Sequence, residues 1–354
     1  MNTASVLDQI LDLARWAPSG DNAQPWRFEL QDGLHFVIHG ADTRDHCIYD
    51  LDGRPTQLAL GALIETATLA ASRHGLQLSA VLRPVQDPGR PTFDVSLSPQ
   101  PGLNADPLWR AIPERSVHRR PLSRRPLSSS QWEALRAAVG PDHELLAFEG
   151  AQRWDWARLL WANGGLRLRL PEAFDTHRSV IEWGQRYSRT RIPDQALGVD
   201  AVTLAIMRNA MSSWQRVAFL NRWLAGTHMP RLLMDLLPAV ACGAHIAVLA
   251  RRAPAGIEDH VAAGRAVQRF WLTATQLGLQ HQPAATPLVF ARYLREARHF
   301  TANTAELATA KSLASRLDGL LGGRTDRAVW LGRIGHGTPG PSRSVRLALK
   351  DLLV

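Results

Sequence analysis

The chain has 354 residues, 45% hydrophobic and 21% charged. That is enough for one large α/β unit or two medium units sharing a core, and the balance excludes a disordered chain. Forty-one Lys+Arg against 32 Asp+Glu leave a net charge of +9, which fits an anionic ligand such as a phosphorylated cofactor; the arginines are dispersed, and the densest run, HRRPLSRR at 118–125, has no flanking aromatics, so a nucleic-acid partner is set aside.

The opening MNTASVLDQILDLARW lacks the basic segment and apolar core of a signal peptide. It reads as an amphipathic helix over 3–16, with Val6, Ile10, Leu11 and Leu13 near one face. APSGDNAQP (17–25) breaks that helix as a loop. WRFEL (26–30) and HFVIH (35–39) read as strands joined by a hairpin at Gln31–Gly33. A long Ala/Leu-rich helix follows over 56–74, with Gly75 as its C-cap, then a strand over 76–84 and a short strand FDVSL.

A second region starts near 108. Helices are predicted over 129–139, 153–162, 174–184, 200–210, 213–225, 257–277 and 302–320; LRLRLP (166–171) is a strand or a helix end. LLPAVACGAHIAVLA (236–250) is uncharged but too short to span a membrane, and reads as a buried helix end followed by a buried strand over 245–250. Cys47 and Cys242 are far apart and form neither a CxxC pair nor a metal-ligand spacing; a reduced, cytoplasmic chain with no metal is the simplest reading.

The two regions share an echo. Gly61 precedes Gly75-Leu76 by fourteen residues, and Gly264 precedes Gly278-Leu279 by the same interval. In each case a long Ala-rich helix carries the first glycine and is ended by the Gly-Leu pair. A mid-helix glycine costs about 1 kcal/mol and permits close approach of another helix or a ligand. Coincidence and duplication both account for the echo.

Ser19, Asn22 and Gln24 offer neutral donors and acceptors on a short loop, suited to a ring system with many carbonyl and nitrogen atoms, or equally to Asx-type capping. Arg115 and Arg119, four apart, would share a helical face and grip one phosphate, or form a solvated basic loop.

The string APSGDNAQPW resembles the signature loop of the nitroreductase superfamily, matching at Ala17, Pro18, Ser19, Asn22, Gln24, Pro25 and Trp26. The resemblance implies FMN beside Ser19 and Asn22. Arg115-Ser116-Val117-His118-Arg119 resembles the family's phosphate-binding segment, with the serine displaced by one; Arg115 and Arg119 become phosphate ligands and Arg120 a substitute. In compact members the arginine segment comes first, whereas here it follows the loop by about ninety residues. That order resembles the long Acg-like branch, in which two nitroreductase-like halves are fused.

The implied fold is α+β, a mixed sheet surrounded by helices, with halves at 1–107 and 108–354 joined as a pseudo-dimer in one chain. AGRAVQRFWLTATQLGLQHQPAA (263–285) resembles the family's central helix, so His281, Gln282 and Pro283 become candidates for ring or substrate contacts. His281 is either a proton donor or a plain surface histidine. His-Gln-Pro stands where the family often has an acidic-glycine pair. In the tail, Arg343 and Arg346 are candidates for returning to the phosphate, with Arg346 preceding a strand-like LALK.

The implied function is an FMN-dependent oxidoreductase passing hydride between NAD(P)H and a small organic acceptor. Alternatives are a substrate-specific flavin dehydrogenase and a flavin-sequestering protein covered by helices around 174–230 and 302–320. The expected assembly is a monomer or a homodimer, with no membrane partner. No GxGxxG opens a Rossmann unit, and phosphate-loop, HExxH and GxSxG patterns are absent from the sequence.

Overall fold

Two four-stranded antiparallel sheets flank a pair of crossed helices in the computed structural model, which describes residues 5–85, 87–223 and 226–354. In the first sheet's region, helix α1 (Val6–Ala14) starts at a capping box between Ser5 and Asp8, which satisfies two otherwise free donors. It is shorter than the expected 3–16, and residues 3–4 of that expectation lie outside the described residues. Strands β1 (Trp26–Leu30) and β2 (His35–Gly40) form the expected hairpin. Its turn is fixed by the Asp32 carboxylate, which accepts from the N–H groups of Leu34 and His35 at 2.7 and 2.8 Å. Helix α2 (Arg54–Ser72) leads through Gly75, at φ +65, into β3 (Leu76–Leu82) and β4 (Thr92–Pro99). The strand order is β1-β2-β4-β3.

The second region begins with helix α3 (Ser129–Ala138) and strand β5 (His143–Phe148), followed by helices α4 (Gln152–Arg169), α5 (Pro171–Val180), α6 (Ala201–Ala210) and α7 (Trp214–Trp223). Strand β6 (Ala244–Ala250), helix α8 (Ile257–Gln276), strand β7 (Leu279–Pro283), helix α9 (Thr286–Arg295), helix α10 (Thr304–Leu320) and strand β8 (Ala328–His336) complete it. The second sheet has the order β5-β6-β8-β7. Position for position this repeats the first: two strands, a long helix, and two more strands that insert in the same order.

Of the two readings of LRLRLP, the helix end is observed: it closes α4, Leu170 is extended and Pro171 opens α5. Several other expectations are corrected. Helix α5 stops at Val180, short of residue 184. Residues 224–225 of the expected helix over 213–225 lie outside the described residues. Leu349–Asp351 is a turn of 3₁₀ helix, not strand-like. His281, Gln282 and Pro283 belong to β7 and pair with Ile334, Arg333 and Gly332 of β8.

The two long helices meet at the echoed glycines. A methyl group on Gly61 would overlap the carbonyl oxygen of Val261 and lie 3.0 Å from the Gly264 Cα, while one on Gly264 would overlap the carbonyl oxygen of Leu58. Each glycine therefore faces the residue three before its counterpart. Polar ties lock this seam. Arg265 and Arg269 each donate to the buried Glu65 carboxylate at 2.8 Å, Arg269 also reaches Asp106 at 2.9 Å, and Gln268 donates to the Thr66 hydroxyl at 3.0 Å.

Beyond β8 the chain returns to the first sheet. The Phe28 N–H donates to the Leu352 carbonyl at 2.8 Å, and the Val354 N–H to the Phe28 carbonyl at 3.0 Å. This tail covers the open edge of β1.

Candidate functional site

A cavity of about 520 Å³ lies between the 18–22 loop, the 115–119 segment, the end of β7 and the returning tail, with α4, α6 and α7 contributing to its far side. That size falls within the range of small-molecule sites.

The loop that enters the cavity is strained. Asp21, Asn22 and Gln24 all have positive φ, at 49°, 65° and 49°, a region that non-glycine residues occupy at a cost. Gln24 holds it. Its backbone N–H donates to the Ser19 hydroxyl at 2.9 Å, its amide nitrogen donates to the carbonyls of Asn22 (3.1 Å) and Arg189 (2.8 Å), and its amide oxygen accepts from Leu347 N–H at 2.9 Å. Gln24 is thus a staple behind the loop and does not line the cavity, which corrects its expected contact with a cofactor. Asn22 does line it. The Asn22 amide nitrogen donates to the carbonyls of Val345 (3.1 Å) and Arg191 (3.3 Å), leaving its buried Oδ1 with no partner.

Seven arginines line the same cavity; Arg167 and Arg292 are paired with Asp235 and Asp52, which leaves Arg115, Arg119, Arg333, Arg343 and Arg346. Among the described residues, no carboxylate lies within ion-pair distance of any of these five. They are held by backbone carbonyls instead. Arg115 donates to Trp16 at 3.0 Å and stacks over the Trp271 ring at 4.5 Å. Arg343 donates to Pro113 (2.8 Å) and to the Arg115 carbonyl (3.1 Å), and Arg346 to Ala17 at 3.0 Å. Arg333 donates to the carbonyls of His118 (3.1 Å) and Arg120 (2.8 Å), and to the Gln282 side chain at 2.7 Å. The Nε atoms of Arg115 and Arg343 and one terminal nitrogen of Arg333 are buried without an acceptor.

The electrostatics follow. Burial, then Arg346 and Arg343, hold Arg115 well below the usual guanidinium range. Burial, then Arg343 and Arg15, bring Arg346 to about 9, and burial brings Arg333 to about 10. A guanidinium keeps its proton near neutral pH, so these directions express unrelieved repulsion and lost hydration. An anion in the cavity would relieve both. Arg119 is set apart from the Arg115–Arg343–Arg346 group: its charge pulls on Asp21, whose carboxyl is pushed up by burial.

The structure therefore brings Ser19, Asn22, Arg115, Arg119, Gln282, Pro283, Arg343 and Arg346 to one cavity, and leaves Gln24, Arg120 and His281 off it. Arg120 is exposed and contributes its carbonyl to Arg333. His281 is neither a surface group nor free to donate a proton to a ligand. It is 1% exposed, its Nδ1 bonds the Arg333 carbonyl at 3.0 Å, and its Nε2 accepts from the Trp330 indole at 3.1 Å. Both nitrogens are committed in the neutral form, and burial lowers its pKa to about 3. Gly332 leaves room for the ring, since a methyl there would overlap it. Arg333 and Trp271 were not singled out from the sequence. A lone arginine in the otherwise uncharged AVWLGRIGH was the available signal for Arg333.

Among the described residues, no cluster of His, Cys, Asp and Glu could hold a metal ion, and both cysteines are unpaired. No helix among them is long and apolar enough to cross a membrane.

No family model matches the chain. Over 283 residues, 78% of its length, it is 25% identical to uncharacterized protein MT1398 of Mycobacterium tuberculosis (strain CDC 1551 / Oshkosh), and the match spans 38% of that protein. Among solved structures, it is similar to the FMN-dependent nitroreductase NfnB from Mycobacterium smegmatis in complex with NADPH, at 13% identity, covering 68% of this chain and 94% of that one with a TM-score of 0.38. It is also similar to a nitroreductase-like family protein from Bacillus cereus, at 12% identity, 70% and 94% coverage and a TM-score of 0.35. A nitroreductase with bound FMN from Bacteroides fragilis NCTC 9343 gives 11% identity, 66% and 89% coverage and a TM-score of 0.31.

Proposed function

We propose that this chain is an FMN-dependent oxidoreductase that moves hydride between NAD(P)H and a small organic acceptor. The observation that carries the reading is the set of five arginines on one cavity with no carboxylate partner and three buried donors left open. Such a group is costly without an anion, and guanidinium donors match phosphate oxygens. Arg115, Arg343 and Arg346 would hold the phosphate. Asn22, whose Oδ1 is an unsatisfied buried acceptor, and the Ser19 loop would take the edge of the ring; Gln282 and Pro283 line the cavity beside them. The APSGDNAQPW resemblance points to the same cofactor.

When bound, FMN supplies the redox chemistry, accepting and returning hydride. The chain's part is placement. Its cations neutralise the phosphate, the strained loop presents Asn22, and the helices on the far side restrict access of water and of competing reactants. No protein nucleophile is needed, and with His281 committed to the core the chain offers no histidine donor at that position. The repeated strand order and the reciprocal glycine contacts support a reading in which residues 1–107 and 108–354 are two fused nitroreductase-like halves, acting as a monomer and closest to the Acg-like branch. The presence of α6 and α7 along the cavity favours one refinement: a substrate-selective flavin enzyme over a promiscuous one.

The test is the absorption spectrum of the purified protein before and after anaerobic NADPH. Bands near ~370 and ~450 nm with roughly one FMN per chain, bleached by NADPH, are expected of this cofactor. No bands and no uptake of added FMN would overturn the assignment; bands that persist would favour sequestration or a dehydrogenase reduced by its own substrate.

A further inference from the structure

The cavity has a second polar end that the arginine group leaves unexplained. Asn163 and Arg167 lie one turn apart on the same face of α4 and both line the cavity. Asn163 is 3% exposed, and its amide nitrogen has no partner. Arg167 uses a single nitrogen, Nη2, to bond both oxygens of Asp235 at 3.0 and 3.2 Å. Gly164 makes that pair possible, because a methyl there would overlap the Asp235 carboxylate. The Tyr49 hydroxyl and the His177 Nε2 share a hydrogen bond at 2.7 Å, and both residues line the cavity. Burial, aided by the Arg167 charge, keeps His177 neutral by lowering its pKa to about 3. The walls nearby are apolar, with Leu160, Leu168, Met207, Leu220 and Met234.

We propose that this end is a substrate subsite for a mostly apolar molecule carrying an uncharged carbonyl, whose oxygen accepts from Asn163 and Arg167. This deepens the oxidoreductase reading and rests on it for the word substrate, but not for binding itself. The charge balance selects the class. An unsatisfied buried donor calls for an acceptor, and Arg167 adds N–H groups beside it. Its charge, however, is already matched by Asp235. A second carboxylate would compete with Asp235 for Arg167 and would face its charge. The arginine group at the other end has the opposite character and takes anions.

The test is a calorimetric titration of the full chain with 2-acetylnaphthalene, a ketone, and 2-naphthoate, its carboxylate counterpart. Both are run after FMN loading and, separately, in phosphate buffer without FMN, where phosphate occupies the arginines. The ketone is expected to bind at least tenfold more tightly than the carboxylate. Asn163→Leu, which keeps the branched outline without the polar atoms, should weaken the ketone at least tenfold while leaving FMN uptake unchanged. Asn163→Asp, which replaces the free donor by an acceptor in the same outline, should weaken it at least threefold and serves if the first variant fails to fold. Asp235→Asn should narrow the preference against the carboxylate. Failure of the ketone to bind, equal or tighter binding of the carboxylate, or unchanged ketone binding in the variants would each overturn the subsite. If FMN is not taken up while the ketone behaves as described in phosphate buffer, the cofactor assignment fails and the subsite stands.

Discussion

Two of the places where the chain buries charge treat it in opposite ways. At the helix seam, Glu65 is 3% exposed and is met by Arg265 and Arg269, with Asp106 sharing Arg269. In the cavity, Arg115, Arg333 and Arg346 are as deeply buried, yet each is held only by carbonyls, an amide or an aromatic face. The first arrangement is complete within the protein. The second is complete only with something added. Buried charge that is balanced internally holds structure together, whereas buried charge left unbalanced marks a binding site.

The contrast can be broken most directly at the seam. Glu65→Gln removes the shared carboxylate and is expected to destabilise by about 2–3 kcal/mol, less than a fully buried pair would give because the two arginines remain partly exposed. Urea denaturation measures it, and FMN affinity should not change. A neutral result would mean the seam network contributes nothing.

Arg115→Leu should do the reverse. FMN affinity is expected to fall about 100-fold, the loss of charge-assisted bonds worth about 2–3 kcal/mol. The protein without FMN should be no less stable than wild type, since an uncompensated cation has gone. Equal destabilisation of both variants would erase the distinction between the two regions.

Added FMN sharpens the same point. At a hundred times its Kd it should stabilise the wild-type fold by about 2.7 kcal/mol. Glu65→Gln should show the full increment and Arg115→Leu a much smaller one at the same concentration, read as a shift of the urea midpoint.

The smallest effect separates both regions from ordinary core histidines. His281 and His245 are buried neutral, with pKa lowered by burial to about 3 and about 4. The unfolded chain takes up protons below about 6.5, while these sites resist until their folded values are reached. Stability is therefore present above pH 6.5 and falls as pH drops towards 4. The expected loss between pH 7.5 and 5.5 is about 1 kcal/mol for each group. The slope should be the same in wild type and Arg115→Leu; a different slope would show that the arginines take part.

Much of this was readable from local pattern. The hairpin, the two long helices, the strand over 245–250 and the helix over 304–320 announce themselves by period and by flanking Gly or Asp. The APSGDNAQPW loop and Arg115 were legible because motif spacing survives in one dimension. The echoed glycines were visible as a shared interval, although their contact was not. What escaped depends on partners far along the chain. LQHQP does not alternate like an isolated strand, and it becomes β7 through pairing with Gly332–His336, far along the chain. His281 looked available because nothing in its neighbourhood reveals Trp330 or the Arg333 carbonyl. Asn163 looked like one polar residue in an arginine- and leucine-rich helix until Tyr49 and Asp235 arrived from distant segments.

The returning tail has one more consequence. The hydrogen bond from Arg346 to Ala17 closes a span of 329 residues, and Arg343 reaches Pro113 across 230. Contacts of such long range form late, after the entropy of closing the intervening chain has been met. The anion site therefore has no local precursor: neither sheet, folded alone, would contain it. Retention of the proposed flavin should report on the integrity of the entire chain, and its release should accompany the first opening that frees the tail from the edge of β1.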